Sequence, residues 1–232
     1  MIPRQRSAEL MDSPDASPIE LARSLRFIER VNRWLGYTQA TVGHLDRLIG
    51  DEPSAGKITI LDVATGSADV PAAILGFADR RRTDVHVTAL DLHETTLALA
   101  RARAGPRLAL VRADATRLPF EDRSFDFVIS SMFLHHLDED SAVRVLAETK
   151  RVARRGVIIA DLLRSRRALF WISLFTTFSN TMVKHDARAS VRQAFTALEM
   201  QDLLARAGLS GAQIHLHFGH RFVAVWQPAT GG

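Results

Sequence analysis

Residues 58–70 read Ile-Thr-Ile-Leu-Asp-Val-Ala-Thr-Gly-Ser-Ala-Asp-Val, and the change of character halfway along restricts the possible folds sharply. An apolar run (Ile58, Ile60, Leu61, Val63) carries a carboxylate, Asp62, near its end. Small residues follow from Ala64 to Ala68, and apolar residues return with helical spacing at Val70, Ala73 and Ile74. The pattern predicts a buried strand, a tight turn and a helix start, which brings backbone N–H groups and a positive helix end to a ligand. Small turn residues let that ligand approach the backbone closely. Asp62 precedes the turn, so it accepts hydrogen bonds from a cationic or hydroxylated ligand and repels a pyrophosphate. A charged nucleoside without phosphates fits.

Taken alone the loop is weak. Ala64 and Ala68 stand at two of the three glycine positions of a G-x-G-x-x-G-like loop, and only Gly66 remains. A strand, turn and helix with one glycine is also ordinary α/β architecture. Alanine serves wherever the backbone needs no positive φ, which is the expectation here.

Further acids sharpen the pattern. A second strand, 85–91, ends on Asp91, and in dinucleotide-binding folds an acid about 20 residues beyond the glycine loop takes the ribose hydroxyls. Capping the following Ala/Leu-rich segment is the alternative role for Asp91. A third strand, 107–112, runs into Ala113, Asp114 and Ala115. There a carboxylate accepts from an exocyclic amine, and the Ala115 N–H donates to a ring nitrogen. Three acids at three successive strand ends are far more specific than any one of them.

Together with the segment 118–137, which includes Ser131, Met132 and the pair His135-His136, these motifs resemble class I S-adenosylmethionine (SAM)-dependent methyltransferases. The loop is closest to variants in quinone-biosynthesis methyltransferases, and the resemblance covers roughly 58–163. It implies that Asp62 and the backbone of Ala64, Thr65 and Gly66 hold the methionyl end. It further implies that Asp91 binds the ribose, Leu92 packs on the adenine, Asp114 and Ala115 read the adenine edge, and Ser131 with Met132 line the site. The implied fold is α/β: a Rossmann-like seven-stranded, mostly parallel sheet with helices on both faces, an antiparallel C-terminal hairpin and an N-terminal helical cover. Residues 1–50 are assigned to the cover and 51–232 to the methyltransferase domain, with a substrate-side insertion at 163–195. A looser resemblance, running from the Pro14 region through 161–164 to 185–192, is to methyltransferases found beside polyketide synthases.

The remaining elements follow from periodicity. Helices are expected at 17–35, with Pro18 in its first turn, at 38–49, stopped by Gly50, at 141–152, and ending at Gly208. Residues 51–56 form a linker. Strands are expected at 125–129 and 156–162, and two alternating runs, 213–218 and 221–226, flank Gly219-His220 as a hairpin.

The chain of 232 residues suits one domain with an extension. It has no cysteine, which excludes a disulfide framework and a thiolate metal site. The N-terminal residues lack an apolar signal core and nothing approaches a run of about 18 apolar residues, so a cytoplasmic enzyme without a transmembrane segment is expected. The net charge of +4 comes from dispersed arginines with three lysines, Lys57, Lys150 and Lys184. Nucleic acid as a partner calls for a clustered footprint near the crevice instead, so none is expected. No metal site is expected either, since no H-x-x-x-H or matching acid cluster occurs.

Substrate choice is assigned to the insertion. Its aromatic stretch, 164–183, reads as helical and too short and hydroxylated to span a bilayer. Phe170, Trp171, Leu174, Phe175 and Phe178 cover more than one face, which suits core packing, the wall of an apolar pocket or a homodimer contact; membrane-surface contact is the weaker option. The polar segment 182–195 lies between two apolar elements. Methyl transfer to a phenol calls for a base near the nucleophile. Among nine histidines, His185 beside Asp186 is assigned that role, with Asp161 at the end of strand five as its orienting acid; His135 and His136 are assigned to packing on the cofactor side. The resulting reading is O-methylation of a hydrophobic phenolic, quinol or polyketide-like molecule in secondary metabolism. C-methylation of an aromatic or quinone precursor and a non-catalytic SAM-fold binding protein are the alternatives.

Overall fold

A computed structural model describes residues 2–7, 18–50, 56–177, 179 and 181–229, with the backbone alone at 18–22, 24 and 27. Seven strands form one sheet: β1 (Ile58–Val63), β2 (Val85–Asp91), β3 (Leu108–Arg112), β4 (Phe125–Ser131), β5 (Ala153–Leu162), β6 (Gln213–His217) and β7 (Arg221–Trp226). Their order is β3-β2-β1-β4-β5-β7-β6; the first five are parallel, while β7 runs antiparallel to both β5 and β6. This is the Rossmann-like layout expected from the sequence. Consecutive strands fill one side of β1 as far as β3, and the chain then crosses to β4 on the other side. That reversal opens a crevice at the carboxyl ends of β1 and β4, where α/β sheets bind ligands.

The side-chain period of two explains why the sheet is buried on both faces. In β1, Ile58 and Ile60 join one apolar cluster with Leu45, Ile74 and Phe77 from α2 (Tyr37–Ile49) and α3 (Asp69–Arg81). Leu61 and Val63 join the opposite cluster with Val145, Leu146, Met200 and Leu203 from α5 (Glu139–Val152) and α8 (Ala197–Arg206). Each fully buried aliphatic side chain of this kind contributes roughly 1.5–3 kcal/mol. Remaining helices are α1 (Pro18–Trp34), α4 (Glu94–Ala100), α6 (Arg166–Phe175) and α7 (Thr181–Gln193). The expected start at Ser17 and most of the 51–56 linker lie outside the described residues, as does the Pro14 region.

Within the insertion the observed chain differs from the expected one. The aromatic stretch 164–183 is two helices rather than one. Thr176 and Thr177 turn their hydroxyls back onto the carbonyl oxygens of Ile172 and Ser173, at 2.7 and 2.9 Å, and α6 stops there. The polar segment is itself α7, burying Val183, Ala189 and Val191 on one side together with Asp186 and Ser190. Phe170, Trp171, Leu174 and Phe175 stay exposed rather than walling a pocket; Phe178 lies outside the described residues.

Ala64 and Ala68 depart from expectation too. Their φ angles are 58° and 59°, in the left-handed region, with Gly66 between them at 58°. The turn therefore needs glycine-like backbone at two positions where a Cβ costs about 1–2 kcal/mol. Ala68 is fully buried, so its methyl recovers part of that cost, whereas Ala64 is only half-buried. Replacing Ala64→Gly is expected to raise the unfolding free energy by about 0.5–1 kcal/mol, the relieved strain less the added freedom of the unfolded chain. Denaturant melts read this directly, and an unchanged or lowered midpoint would contradict strain at Ala64.

Candidate active site

The crevice at the β1/β4 reversal deepens into a cavity of about 650 Å³. Asp62, Ala64, Thr65, Gly66, Asp91, Leu92, Asp114, Ala115, Ser131 and Met132 all line it. Parallel register brings them together: Asp62 pairs with Ala89 of β2 and Ile129 of β4, and Asp91 with Arg112 of β3. From the N-terminal side α1 adds Leu25, Ile28, Glu29 and Asn32 to the wall. Arg103 ties that helix to the loop. Its guanidinium donates to the Ser67 carbonyl oxygen at 2.5 Å and to Glu29 at 2.9 and 3.0 Å.

Each acid has a distinct environment. Asp62 is buried; Oδ2 accepts from the Thr65 hydroxyl at 2.6 Å, and Oδ1 is buried with no hydrogen-bond partner. Loss of water, with the charges of Asp69 and Asp91 nearby, pushes its carboxyl up to about 7. Asp69, at the start of α3, is also raised, first by burial and then by the charge of Glu29. Asp91 accepts from the Gly66 N–H through Oδ2 and from the His93 N–H through Oδ1, both at 3.0 Å. Burial raises its carboxyl while those donors pull it back. It thus pins the loop to β2 and, through the His93 N–H, the entry to α4. Asp114 is exposed and accepts from the Thr116 N–H and hydroxyl through Oδ1, both at 2.8 Å, which lowers its pKa.

The assigned base is placed elsewhere. His185 is 48% exposed, has Nδ1 3.0 Å from Asp186 Oδ1 and does not line the cavity. It occupies the outward side of α7, whose helical twist turns Asp186 and Ser190 to the cavity instead. Asp161 orients a different histidine. Its Oδ1 lies 2.6 Å from Nδ1 of His135 and accepts the Leu162 N–H, and its Oδ2 accepts the His135 N–H. Both side chains are 2% exposed, and His135 lines the cavity with His136 stacked on it at 4.2 Å between ring centres. In the tautomer whose Nδ1–H donates to Asp161, Nε2 is the acceptor nitrogen of the ring.

Sequence reasoning missed Asn32, Tyr37, Asp69 and Arg221. Asp69 had a signal, lying three residues after Gly66 inside the loop motif; the others stand on α1, α2 and β7, far from any motif. One observation unites Asn32, Tyr37 and Arg221 with two of the expected residues. Among the described residues, the buried polar side-chain atoms without a hydrogen-bond partner belong to Asn32, Tyr37, Asp62, Ser131 and Arg221, and every one of these residues lines this cavity. Native proteins leave few such atoms, and a cluster of them marks where a ligand completes the network. No group of three or more metal-ligating side chains occurs among the described residues, and no helix there is long and apolar enough to cross a membrane.

Comparison with known proteins agrees with the geometry. Residues 60–156 match a family model described as a methyltransferase domain. A ubiquinone/menaquinone biosynthesis C-methyltransferase of Desulfotalea psychrophila is 30% identical over 149 residues, 64% of this chain and 54% of that one. The chain therefore spans about half the length of that curated relative. Human N-acetylserotonin methyltransferase, solved in complex with SAM, superposes with a TM-score of 0.67 at 14% identity, covering 92% of this chain and 57% of that one. An O-methyltransferase family 2 protein of Planctomyces limnophilus, solved in complex with apigenin, gives 0.61 at 18% identity, covering 92% and 63%. These two share the fold. The family model, the curated relatives and the shared fold together support a class I methyltransferase that uses S-adenosylmethionine.

Proposed function

We propose that the chain methylates an oxygen of a hydrophobic aromatic small molecule, phenolic, quinolic or polyketide-like, with His135 as the proton acceptor. The observation that carries the reading is the pairing, within one cavity, of an orphaned buried carboxylate at Asp62 with an oriented imidazole at His135. Asp62 Oδ1 suits the ammonium of the methionyl group, Asp91 the ribose hydroxyls, and Asp114 with the Ala115 N–H the adenine edge. When bound, the cofactor supplies an electrophilic methyl on a sulfonium. Asp161 holds the imidazole so that Nε2 takes the acceptor's proton as its oxygen attacks. The apolar walls from Leu25, Ile28, Ile172 and Val183 suit a ring system and exclude water. A second reading, C-methylation of a quinol ring, is favoured by the name of the Desulfotalea psychrophila relative and uses the same base. Incubation with methyl-labelled cofactor and a panel of phenols and quinols, followed by product NMR, separates the two; binding of neither the cofactor nor its demethylated product would leave only a non-catalytic scaffold.

Replacing Asp91→Ala removes the acceptor for two backbone N–H groups as well as the ribose partner. Cofactor affinity is expected to fall by roughly 1.5–3 kcal/mol in calorimetry, with the fold retained. An unchanged dissociation constant rules out the ribose role.

Asp62 gives a pH signature. Its carboxyl titrates at about 7 in the unliganded protein, and a cationic group binds the ionised form. Affinity is therefore expected to drop by up to about tenfold per unit below pH 7, with proton release on binding. Calorimetry in two buffers of different ionisation enthalpy measures that release. A pH-independent affinity between 5.5 and about 7 sinks the assignment.

For His135→Gln, turnover at neutral pH is expected to drop roughly 100- to 10,000-fold while cofactor affinity stays put, and to recover toward pH 10 as a phenol ionises unaided. Near wild-type turnover at pH 7 would remove His135 from the mechanism. The same assay on His185→Ala is expected to show no loss.

A further inference from the structure

Arg221 is a buried cation that the cofactor leaves unexplained. It opens β7, where it pairs with Leu162 at the carboxyl end of β5, and it is 4% exposed on the cavity wall. Nε and Nη1 are both buried with no hydrogen-bond partner. Asp161 is the nearest candidate in sequence register, but its oxygens already serve His135 and Leu162. The guanidinium carbon lies 4.7 Å from the centre of the Tyr37 ring, which steadies the cation without accepting its protons. On the walls of the same cavity the Tyr37 hydroxyl, Asn32 Oδ1 and Ser131 Oγ are likewise buried without partners. Burial, then the charge of Asp161, pushes the Tyr37 hydroxyl well up, which keeps it a neutral donor. Unfilled charged donors out of water are costly, and the cost is recovered when an anion meets them.

The cofactor's own carboxylate is poorly placed to be that anion. Asp62 and Arg221 sit on β1 and β7, whose axes lie three strand spacings apart in the sheet, or roughly 14 Å. The ammonium and carboxylate of an amino acid share one carbon, so a ligand whose ammonium sits at Asp62 keeps its carboxylate close to β1. His135, bonded to Asp161 of β5, lies between the two poles.

Resting on the methyl-transfer reading above, we infer that the acceptor is an anion: an aromatic molecule bearing a carboxylate, seated on Arg221 and the Tyr37 hydroxyl. A carboxylate meets the guanidinium through charge-assisted hydrogen bonds, and this seat turns the acceptor's nucleophilic atom toward His135 and the methyl source. The orphaned nitrogens then find their partners only in the acceptor complex.

The test uses the full chain saturated with S-adenosylhomocysteine and titrated calorimetrically with hydroxybenzoate and hydroxynaphthoate, each against its methyl ester. Wild type is expected to bind at least one acid about tenfold tighter than its ester or more. Arg221→Gln is expected to erase that preference and Arg221→Lys to keep part of it, with S-adenosylhomocysteine affinity within about twofold of wild type in both. Should Arg221→Gln fail to fold, the wild-type comparison and Arg221→Lys decide. Equal affinity for acids and esters in wild type, or binding of neither, overturns the inference and leaves the methyl-transfer reading standing. Loss of S-adenosylhomocysteine affinity in folded Arg221 variants overturns it also, by giving Arg221 to the cofactor's carboxylate. Failure of wild type to bind S-adenosylhomocysteine removes the underlying reading instead.

Discussion

Asp62 is carried out of water by the strand that bears it. Alternation puts its side chain on the same face as Ile58 and Ile60, under α2 and α3, and the parallel neighbours β2 and β4 close both edges of β1. A single internal donor, the Thr65 hydroxyl, answers one oxygen and leaves the other bare. With Asp69 and Asp91 close enough to raise it further, the carboxyl prefers to hold its proton near neutrality. An isolated carboxylate in this position would be a defect in a protein whose only task was to be stable. It becomes sensible when a cation arrives to share the site, and the arrangement around it follows from keeping that place open.

Several features serve that purpose. The loop after β1 turns through three left-handed residues, Ala64, Gly66 and Ala68, so that the chain leaves the strand and enters α3 without a long side chain over the carboxylate. Asp91 holds the Gly66 N–H, and the Thr65 N–H donates to the Leu90 carbonyl oxygen at 2.9 Å, which fixes the loop against β2. Arg103 then anchors both the loop and α1 through Ser67 and Glu29. At the opposite side Arg4 donates to the carbonyl oxygens of Gln193 and Leu137, both at 2.6 Å, joining the N-terminal segment to the end of α7 and to the turn after β4. Backbone strain in the loop is tolerated because each neighbour over-determines its position.

What could be read from the sequence depended on how far apart the interacting residues were along it. Strand-end acids and the small-residue loop are local patterns, set by the period of a strand and the sterics of a turn, and they identified one wall of the cavity. The αL backbone at Ala64 and Ala68 was not legible, because alanine gives no sign of positive φ where glycine would. The end of α6 depends on Thr176 and Thr177 bonding back to carbonyls, a choice that helical periodicity does not register. His185 falls outside the cavity for a related reason. His185 and Asp186 are neighbours in sequence, yet adjacent helix residues point about 100° apart. His135 and Asp161 are 26 residues apart and meet through the pairing of β4 with β5.

The same distinction separates the two halves of the site. All the residues assigned to the cofactor fall between Asp62 and Met132, inside the stretch matched by the methyltransferase-domain model. Asn32, Tyr37, Asp186 and Arg221, which complete the wall, fall before or after that stretch. A sulfonium nucleoside is one fixed ligand, so its site can be encoded compactly by consecutive strand-turn units of a single β-α-β series. An acceptor varies between proteins, and on the proposed reading its seat is assembled from α1, α2, α7 and the antiparallel strand β7, elements free to change without disturbing the register of β1, β2 and β4. His135 lies inside the matched stretch and its orienting acid outside it, so the dyad spans the boundary between the two. On the proposed reading, its position there couples a cofactor pole organised by acids to an acceptor pole organised by a buried cation.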